Sequence, residues 1–391
     1  MSVIRCVQVP GKGAFANDEY GKGPAGGQLH ASGQYPEMSM LVQPSGVRRI
    51  LIIKLRAIGD VVLSTIVIPN LRRAYPDASI EFLTEKSAAP VVLNHRDVDD
   101  VIVFDRSSAG SVWLLREVRR RRFDLVIDLF GNPRTALVTK MSGAIHRVGF
   151  RFRGRTYAYN RLVTPRGGAV HNTQFNLDAL EAIGIPIVER TTHFPMSKED
   201  GQFAEEFFAQ SGVGRLPVVA LNSGGGWYTK RWSLDRFADL GNRIVADFHL
   251  RVLLVWGPGE ADDVAYIRSR LNVEPLIPPL TSLGQLGALL KRCSLLITND
   301  SGPMHIGAAL GTPVVAIFGP TNPELQGPYG VDSAVIRFDH LHCLGCNLTQ
   351  CPIGHPCMRG LSVEAVVNGV RQFLEKVPTS YGTGKTLERS S

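Results

Sequence analysis

The sequence predicts an α/β protein made of two doubly wound, parallel-sheet domains. Short continuous apolar runs alternate with helical stretches from Arg48 onward. The same strand–turn–helix logic then runs a second time, changing over near "HFPMSKED", His193 to Asp200. Strands apolar at every position are buried on both faces, as in a parallel sheet covered by helices. Glycines and acidic residues gather where the runs end, and such turns are where doubly wound sheets hold ligands, here in a cleft between the two domains.

The first half carries the strands "ILIIKL", "SIEFLTE", "DVIVFD" and "DLVIDLF", with helices such as Val61 to Ala74 and Ser111 to Arg122 between them. The second half carries "VVALNSGGG", "RVLLVWGPGE", "PLIPPL", "SLLITNDSG" and "PVVAIFGPT", separated by helices over 234–247, 283–292 and 302–310. The expected boundaries are 47–195 and 196–378. Residues 1–46 are Gly-rich with little apolar periodicity and are expected to be a disordered tail, as is 379–391.

The 391 residues carry a net charge of +8. Residues 104–170 alone hold 14 Lys/Arg against 4 Asp/Glu. A field that concentrated suits a polyanion: a phosphorylated substrate, an anionic membrane surface or a nucleic acid. "RVGFRFRGR", Arg147 to Arg155, interleaves Arg with Phe and Gly as a binding loop would. No apolar run approaches the roughly 18 residues of a spanning helix, and the N-terminus shows no signal-peptide core. The expected compartment is the cytoplasm, with peripheral contact at the inner membrane.

Three turns carry the chemistry. In "LLITNDSGPMHIGAALGTPVVAIFGPTNP" a buried strand ends at Asp300, Ser301 and Gly302 form a tight turn, and Pro303 opens a helix. Free N–H groups there suit a phosphate, and His305 lies one turn further on. In "LNSGGGWYTKRW" the glycines, Gly225 and Gly226 among them, allow close backbone approach, and Lys230 supplies a point charge for phosphate. In "LLVWGPGEADD" Glu260 is placed to bond a ribose hydroxyl. Asp300 as a plain helix cap and Glu260 as a first-turn acid remain alternative readings. The P-loop pattern G-x-x-x-x-G-K-[ST] is absent.

The fourth turn is "KLRAIGDVVLSTIVIPNLRRAYP", where Lys54, Arg56 and Asp60 sit between a buried strand and a helix. A carboxylate at a sheet's carboxyl edge faces the cleft, and the helix N-terminus with Lys54 or Arg56 favours its charged form.

These motifs together resemble glycosyltransferase family 9, the ADP-heptose:lipopolysaccharide heptosyltransferases. The resemblance runs from about Arg48 to Leu374. It implies the GT-B fold, two Rossmann-like domains facing a central cleft, with inverting transfer and no cofactor for the chemistry. It implies ADP-heptose as donor, held by the C-terminal domain through Gly225, Gly226, Lys230, Glu260, Asp300, Ser301, Gly302 and His305. It implies an anionic lipopolysaccharide core as acceptor, on the N-terminal domain, and Asp60 as general base. The acceptor contacts are then expected at Lys54 and Arg56 and, from the basic block, at Arg134, Arg147 and Arg151, the last three expected on turns after strands.

"HLHCLGCNLTQCPIGHPCM" spaces Cys343, Cys346, Cys351 and Cys357 as C-x2-C-x4-C-x5-C. Four thiolates would close a structural zinc site; reduced thiols or a labile disulfide are the competing readings. Rival functions are a relative using another nucleotide sugar or acceptor, a nucleic-acid binder and a Rossmann epimerase. No RRM, KH or helix-turn-helix signature supports a nucleic-acid partner, and G-x-G-x-x-G is missing after the first strand.

Overall fold

The computed structural model describes residues 5–7, 42, 46–166, 170–213 and 216–375. The first domain runs β2 (Arg49–Ile53), α1 (Ile58–Ser64), α2 (Val67–Ala74), β3 (Ser79–Glu85), β4 (Asp100–Phe104), α3 (Ser108–Arg121), β5 (Leu125–Asp128), α4 (Pro133–Ser142), β6 (His146–Phe150), β7 (Arg161–Val163) and α5 (Asn172–Glu181). The second runs α6 (Lys198–Gln210), β8 (Val218–Asn222), α7 (Leu234–Phe248), β9 (Arg251–Val255), α8 (Ala261–Arg270), α9 (Leu283–Arg292), β10 (Leu295–Asn299), α10 (Gly302–Ala309), β11 (Val314–Phe318), α11 (Pro323–Gln326), β12 (Ser333–Arg337), α12 (Pro356–Arg359) and α13 (Val363–Leu374). A short strand β1 (Arg5–Val7) precedes both.

Every strand pair is parallel, and the two sheets read β4-β3-β2-β5-β6-β7 and β1-β12-β11-β10-β8-β9. Strand order reverses between β2 and β5 in one and between β8 and β10 in the other. These are the switch points at whose carboxyl ends a crevice opens.

The apolar runs are buried on both faces because alternate side chains point opposite ways. Ile50 and Ile52 join a cluster with α1, α2 and α5, whereas Leu51 and Ile53 join one with α3 and α4. The first cluster continues through Phe208, Leu289, Met304 and Phe318 of the second domain, so the two domains share one apolar body. The outer face of the second sheet packs on α7, α8 and α13 around Trp232, which is 1% exposed and donates its indole N–H to Leu361 O at 3.0 Å.

Two expectations are corrected. β1 and Val42 fall inside the expected tail of 1–46, yet β1 pairs with Ala334–Ile336 and Val42 is buried, its N–H on Ile183 O. Strand pairing uses backbone groups, on which composition is silent. The rest of that stretch, and 379–391, lie outside the described residues. "PLIPPL" is not a strand: Leu276 makes one isolated bridge to Leu253, and its prolines have no N–H to continue a ladder.

The domains meet most closely where α1 approaches α10. A Cβ at Gly59 would lie 2.3 Å from His305 Cδ2. The segment joining the domains is held by Asn70, whose amide donates to Ile66 O and Glu189 O and accepts from Val188 and Glu189 N–H. Beside it His193 meets His95 edge-on, ring centroids 5.5 Å apart. Burial first, then His193, pushes the buried His95 down to about 4, against the pull of Asp97.

Two predictions follow from these contacts. Gly59→Ala must displace His305 or α1 and should cost about 1–3 kcal/mol in urea unfolding; unchanged stability would show that the helices do not meet this closely. His95 is neutral when folded but protonates in the unfolded chain below its ordinary 6.5. The stability it protects is therefore complete above pH 6.5 and drains as pH falls toward 4. From pH 7 to 5 the unfolding free energy should drop by about 2 kcal/mol from this residue, and His95→Gln should remove that part of the slope.

Candidate active site

Both switch points open into one cavity of about 420 Å³, lined by Ala57, Ile58 and Gly59 from the first domain and by the 224–226 glycines, Glu260 and Ser301–Pro303 from the second. On the first side, β2 ends at Ile53 and the chain crosses to α1. Lys54, partly buried, donates Nζ to Leu129 O at 3.1 Å. Asp60 is the third residue of α1, and its Oδ2 accepts the Ala57 N–H at 3.0 Å. That bond ties the carboxylate to the loop in front of its own helix, facing α10.

On the second side, two asparagines at strand ends brace the loops. Asn222 donates Nδ2 to Thr298 Oγ1 at 2.8 Å and Ser301 Oγ at 2.9 Å. Asn299 accepts Trp232 N–H at 3.1 Å and donates to Ser223 O at 2.8 Å and Gly224 O at 3.2 Å. Neither was singled out from sequence. Their only signal is an amide at the last position of a buried strand, where every polar atom must find a partner.

The glycine requirement falls one residue before the expected pair. A Cβ on Gly224 would lie 2.3 Å from Glu260 Oε1, whereas one on Gly225 meets Arg231 Cγ at 3.3 Å and one on Gly226 meets nothing within 4 Å. Gly225 and Gly226 still line the cavity. Glu260 occupies the N-cap of α8, with Oε2 accepting Gly257 N–H at 2.8 Å and Arg231 3.9 Å from Oε1.

Asp300 is not a helix cap. Ser301 holds the N-cap of α10, without a side-chain capping bond, and leaves the first turn open. Asp300 Oδ2 instead takes Lys230 Nζ at 2.7 Å and Thr321 Oγ1 at 2.6 Å, both partners largely buried. Lys230 Nζ also lies over the Trp227 ring, 4.5 Å from its centroid. His305 is 6% exposed, and its Nδ1 is buried without a partner. Burial pushes the imidazole below its ordinary value, against the pull of Asp300 and Asp60. His305 is therefore neutral near pH 7 and has a ring nitrogen to spare.

The basic candidates separate by position. Arg56 is exposed on the cleft loop, 3.9 Å from Glu85 Oε1. Arg134, in the first turn of α4, lies over Phe104 at 5.3 Å, and Arg151 is exposed directly after β6. Arg147 is a correction: it lies inside β6, not on a turn after a strand. It donates Nε to Ala158 O at 2.9 Å and NH1 to Ala144 O at 2.6 Å, so it braces backbone.

The cysteines are free thiols. Burial raises Cys343, and it raises Cys357 to about 11, with the neighbouring cysteines adding to both. Among the described residues no three His, Cys, Asp or Glu side chains form a metal-holding group. The expected four-thiolate site does not fit this arrangement, because spacing alone does not aim four Sγ atoms at one point. The loop braces the second domain near Lys230: Asn347 N–H bonds Pro320 O at 2.8 Å, and Thr229 Oγ1 donates to Leu348 O at 2.9 Å.

A family model described as glycosyltransferase family 9 (heptosyltransferase) matches residues 112–356. That span holds Gly225, Gly226, Lys230, Glu260, Asp300, Ser301, Gly302 and His305, while Asp60 precedes it. Lipopolysaccharide heptosyltransferase 3 of Escherichia coli is 26% identical over 292 residues, covering 69% of this chain and 83% of that protein. The crystal structure of a family 9 glycosyl transferase from Veillonella parvula overlays with a TM-score of 0.76 at 25% identity, covering 87% of this chain and all of that one. The E. coli heptosyltransferase WaaC with ADP shares the fold, with a TM-score of 0.65 at 18% identity over 83% of this chain and 99% of that one. Two facing doubly wound domains are the GT-B architecture of these structures. The match over more than half its length makes this chain a member of glycosyltransferase family 9, the heptosyltransferase family, and hence an enzyme of glycosyl transfer.

Proposed function

We propose that the protein transfers heptose from ADP-heptose to the anionic inner core of lipopolysaccharide, Kdo- or heptose-bearing lipid A, by inverting displacement. The observation that carries this reading is the shared cavity. One wall is the start of α1, Ala57 to Gly59, directly before Asp60; the other is the N-terminus of α10, Ser301 to Pro303, directly after Asp300, whose carboxylate pairs with Lys230. The names of the relatives supply the sugar and the acceptor.

In this reading residues 196–378 hold the donor. Glu260 bonds the ribose, and the diphosphate lies on the open first turn of α10 and on Lys230, which it draws from Asp300. The spare His305 nitrogen meets a phosphate oxygen. Residues 47–195 hold the acceptor, its anionic groups met by Lys54, Arg56, Arg134 and Arg151. Asp60 takes the proton from the acceptor hydroxyl as its oxygen bonds the anomeric carbon, and the bond to the diphosphate breaks on the opposite face. Charge growing on the departing ADP is met by N–H dipoles and Lys230, so the step needs no metal. Among the described residues no helix is long and apolar enough to cross a membrane. We place the enzyme in the cytoplasm, touching the inner membrane through its basic face.

A transfer assay with ADP-heptose and Kdo-bearing lipid A, run with chelator, tests the proposal. Wild type should transfer. Asp60→Asn should lower kcat by about 10²- to 10⁴-fold while ADP affinity holds. Tight ADP binding without transfer by wild type would move the enzyme to another sugar or acceptor. A full-rate variant would remove Asp60 as the base.

A further inference from the structure

Behind the first switch point lies a buried polar group that none of the roles above uses. Asp128 is the last residue of β5, fully buried, paired with Ile53 of β2 on one side and Gly149 of β6 on the other. Its Oδ1 accepts the N–H groups of Phe130 at 3.0 Å and Gly131 at 2.9 Å, and its Oδ2 accepts the Tyr159 hydroxyl at 2.8 Å. Tyr159 reaches it because β6 offers no side chain there: a Cβ on Gly149 would lie 2.3 Å from the Tyr159 ring. The next residue after Asp128, Leu129, supplies the carbonyl that receives Lys54 Nζ.

We propose that Asp128, locked by Tyr159, is a positioning residue that fixes the turn whose Leu129 carbonyl holds Lys54 Nζ, on the loop leading to Asp60. The proposal rests on the reading of Asp60 as the base. A buried ammonium is costly unless paired. The charges facing Lys54 are Asp60 on α1 and Asp128 on β5, and both oppose the downward push of burial on its titration. Asp128 is itself pushed up by burial, and the Gly131 N–H and the Tyr159 hydroxyl act against that push. Tyr159 in turn is faced by Asp128, Arg155 and Tyr157. The order of dependence is therefore Tyr159, Asp128, the 129–131 turn, Lys54. The phenol holds the carboxylate, the carboxylate holds the Phe130 and Gly131 N–H groups, and the turn so fixed presents Leu129 O to Lys54. Tyr159 follows the basic segment 151–155 after β6, so acceptor contacts made there have a covalently short route to the reacting end of the cleft.

The test reads Lys54 directly in the full-length protein, without any substrate. Trace acetylation by acetic anhydride at pH 8, followed by mass spectrometry of the Lys54 peptide, reports the free-amine fraction. Asp128→Asn should raise the Lys54 labelling rate about tenfold over wild type. Tyr159→Phe, which keeps the ring and the packing, should raise it by a smaller factor. Where transfer is measured, both variants should lose kcat at a lower alkaline pH than wild type, with the KM for ADP-heptose unchanged. Unchanged labelling in both variants overturns the proposal, and if Asp128→Asn does not fold, unchanged labelling in Tyr159→Phe does so alone. Accelerated labelling in a protein that transfers no heptose would leave the Lys54 coupling standing and remove the assigned reaction instead.

Discussion

The approach of α1 to α10 is the contact on which the site depends. It is close because residue 59 has no side chain, so the neutral ring of His305 fills the space where a Cβ would be. Two helix N-termini, one from each domain, thereby point into the same cavity. Each follows a strand at its sheet's switch point, and the apolar cluster running through both domains backs them from behind. The positive ends of both helix dipoles then meet in one place, the place that the proposed reaction gives to the sugar diphosphate and the acceptor oxygen.

Charge in and beside the cavity is arranged in pairs. Lys230 rests on Asp300 and the Trp227 ring, and Arg231 is spread over Gly225 O, Asp263 and Glu260. In the proposed reading a diphosphate at Lys230 replaces one anion by another, so the buried cation keeps a partner. The Thr321 hydroxyl donates to the same Asp300 oxygen. On the first domain's side Lys54 already rests on the Leu129 carbonyl.

What the sequence revealed was local, and what it hid was long-range. Continuous apolar runs such as Ile50–Ile53 announce a parallel sheet because burial on both faces is written into consecutive residues. The four loaded turns were legible for the same reason, as strand-to-helix boundaries carrying charge. Asn222 and Asn299 were not, because their partners lie about 75 residues away in the chain. Arg147 reads as one of several loop arginines until the strand is placed; its neighbours on Ala144 and Ala158 then show a brace. The cysteine spacing suggested zinc, but sequence distance does not set the direction of a Cα–Cβ bond. β1 and Val42 lay within a composition that argues against order, and backbone pairing and a single buried valine need no periodicity.

The central claim is that the two switch points form one donor–acceptor site, and a crystal structure with ADP tests it most directly. The account predicts the diphosphate against Ser301 and Gly302 with Lys230 turned toward it and away from Asp300, the ribose on Glu260, and the terminal phosphate directed at Asp60. Nucleotide in the separate groove of about 450 Å³ beside Tyr228, Arg236 and Tyr266, with the Lys230–Asp300 pair undisturbed, would contradict it.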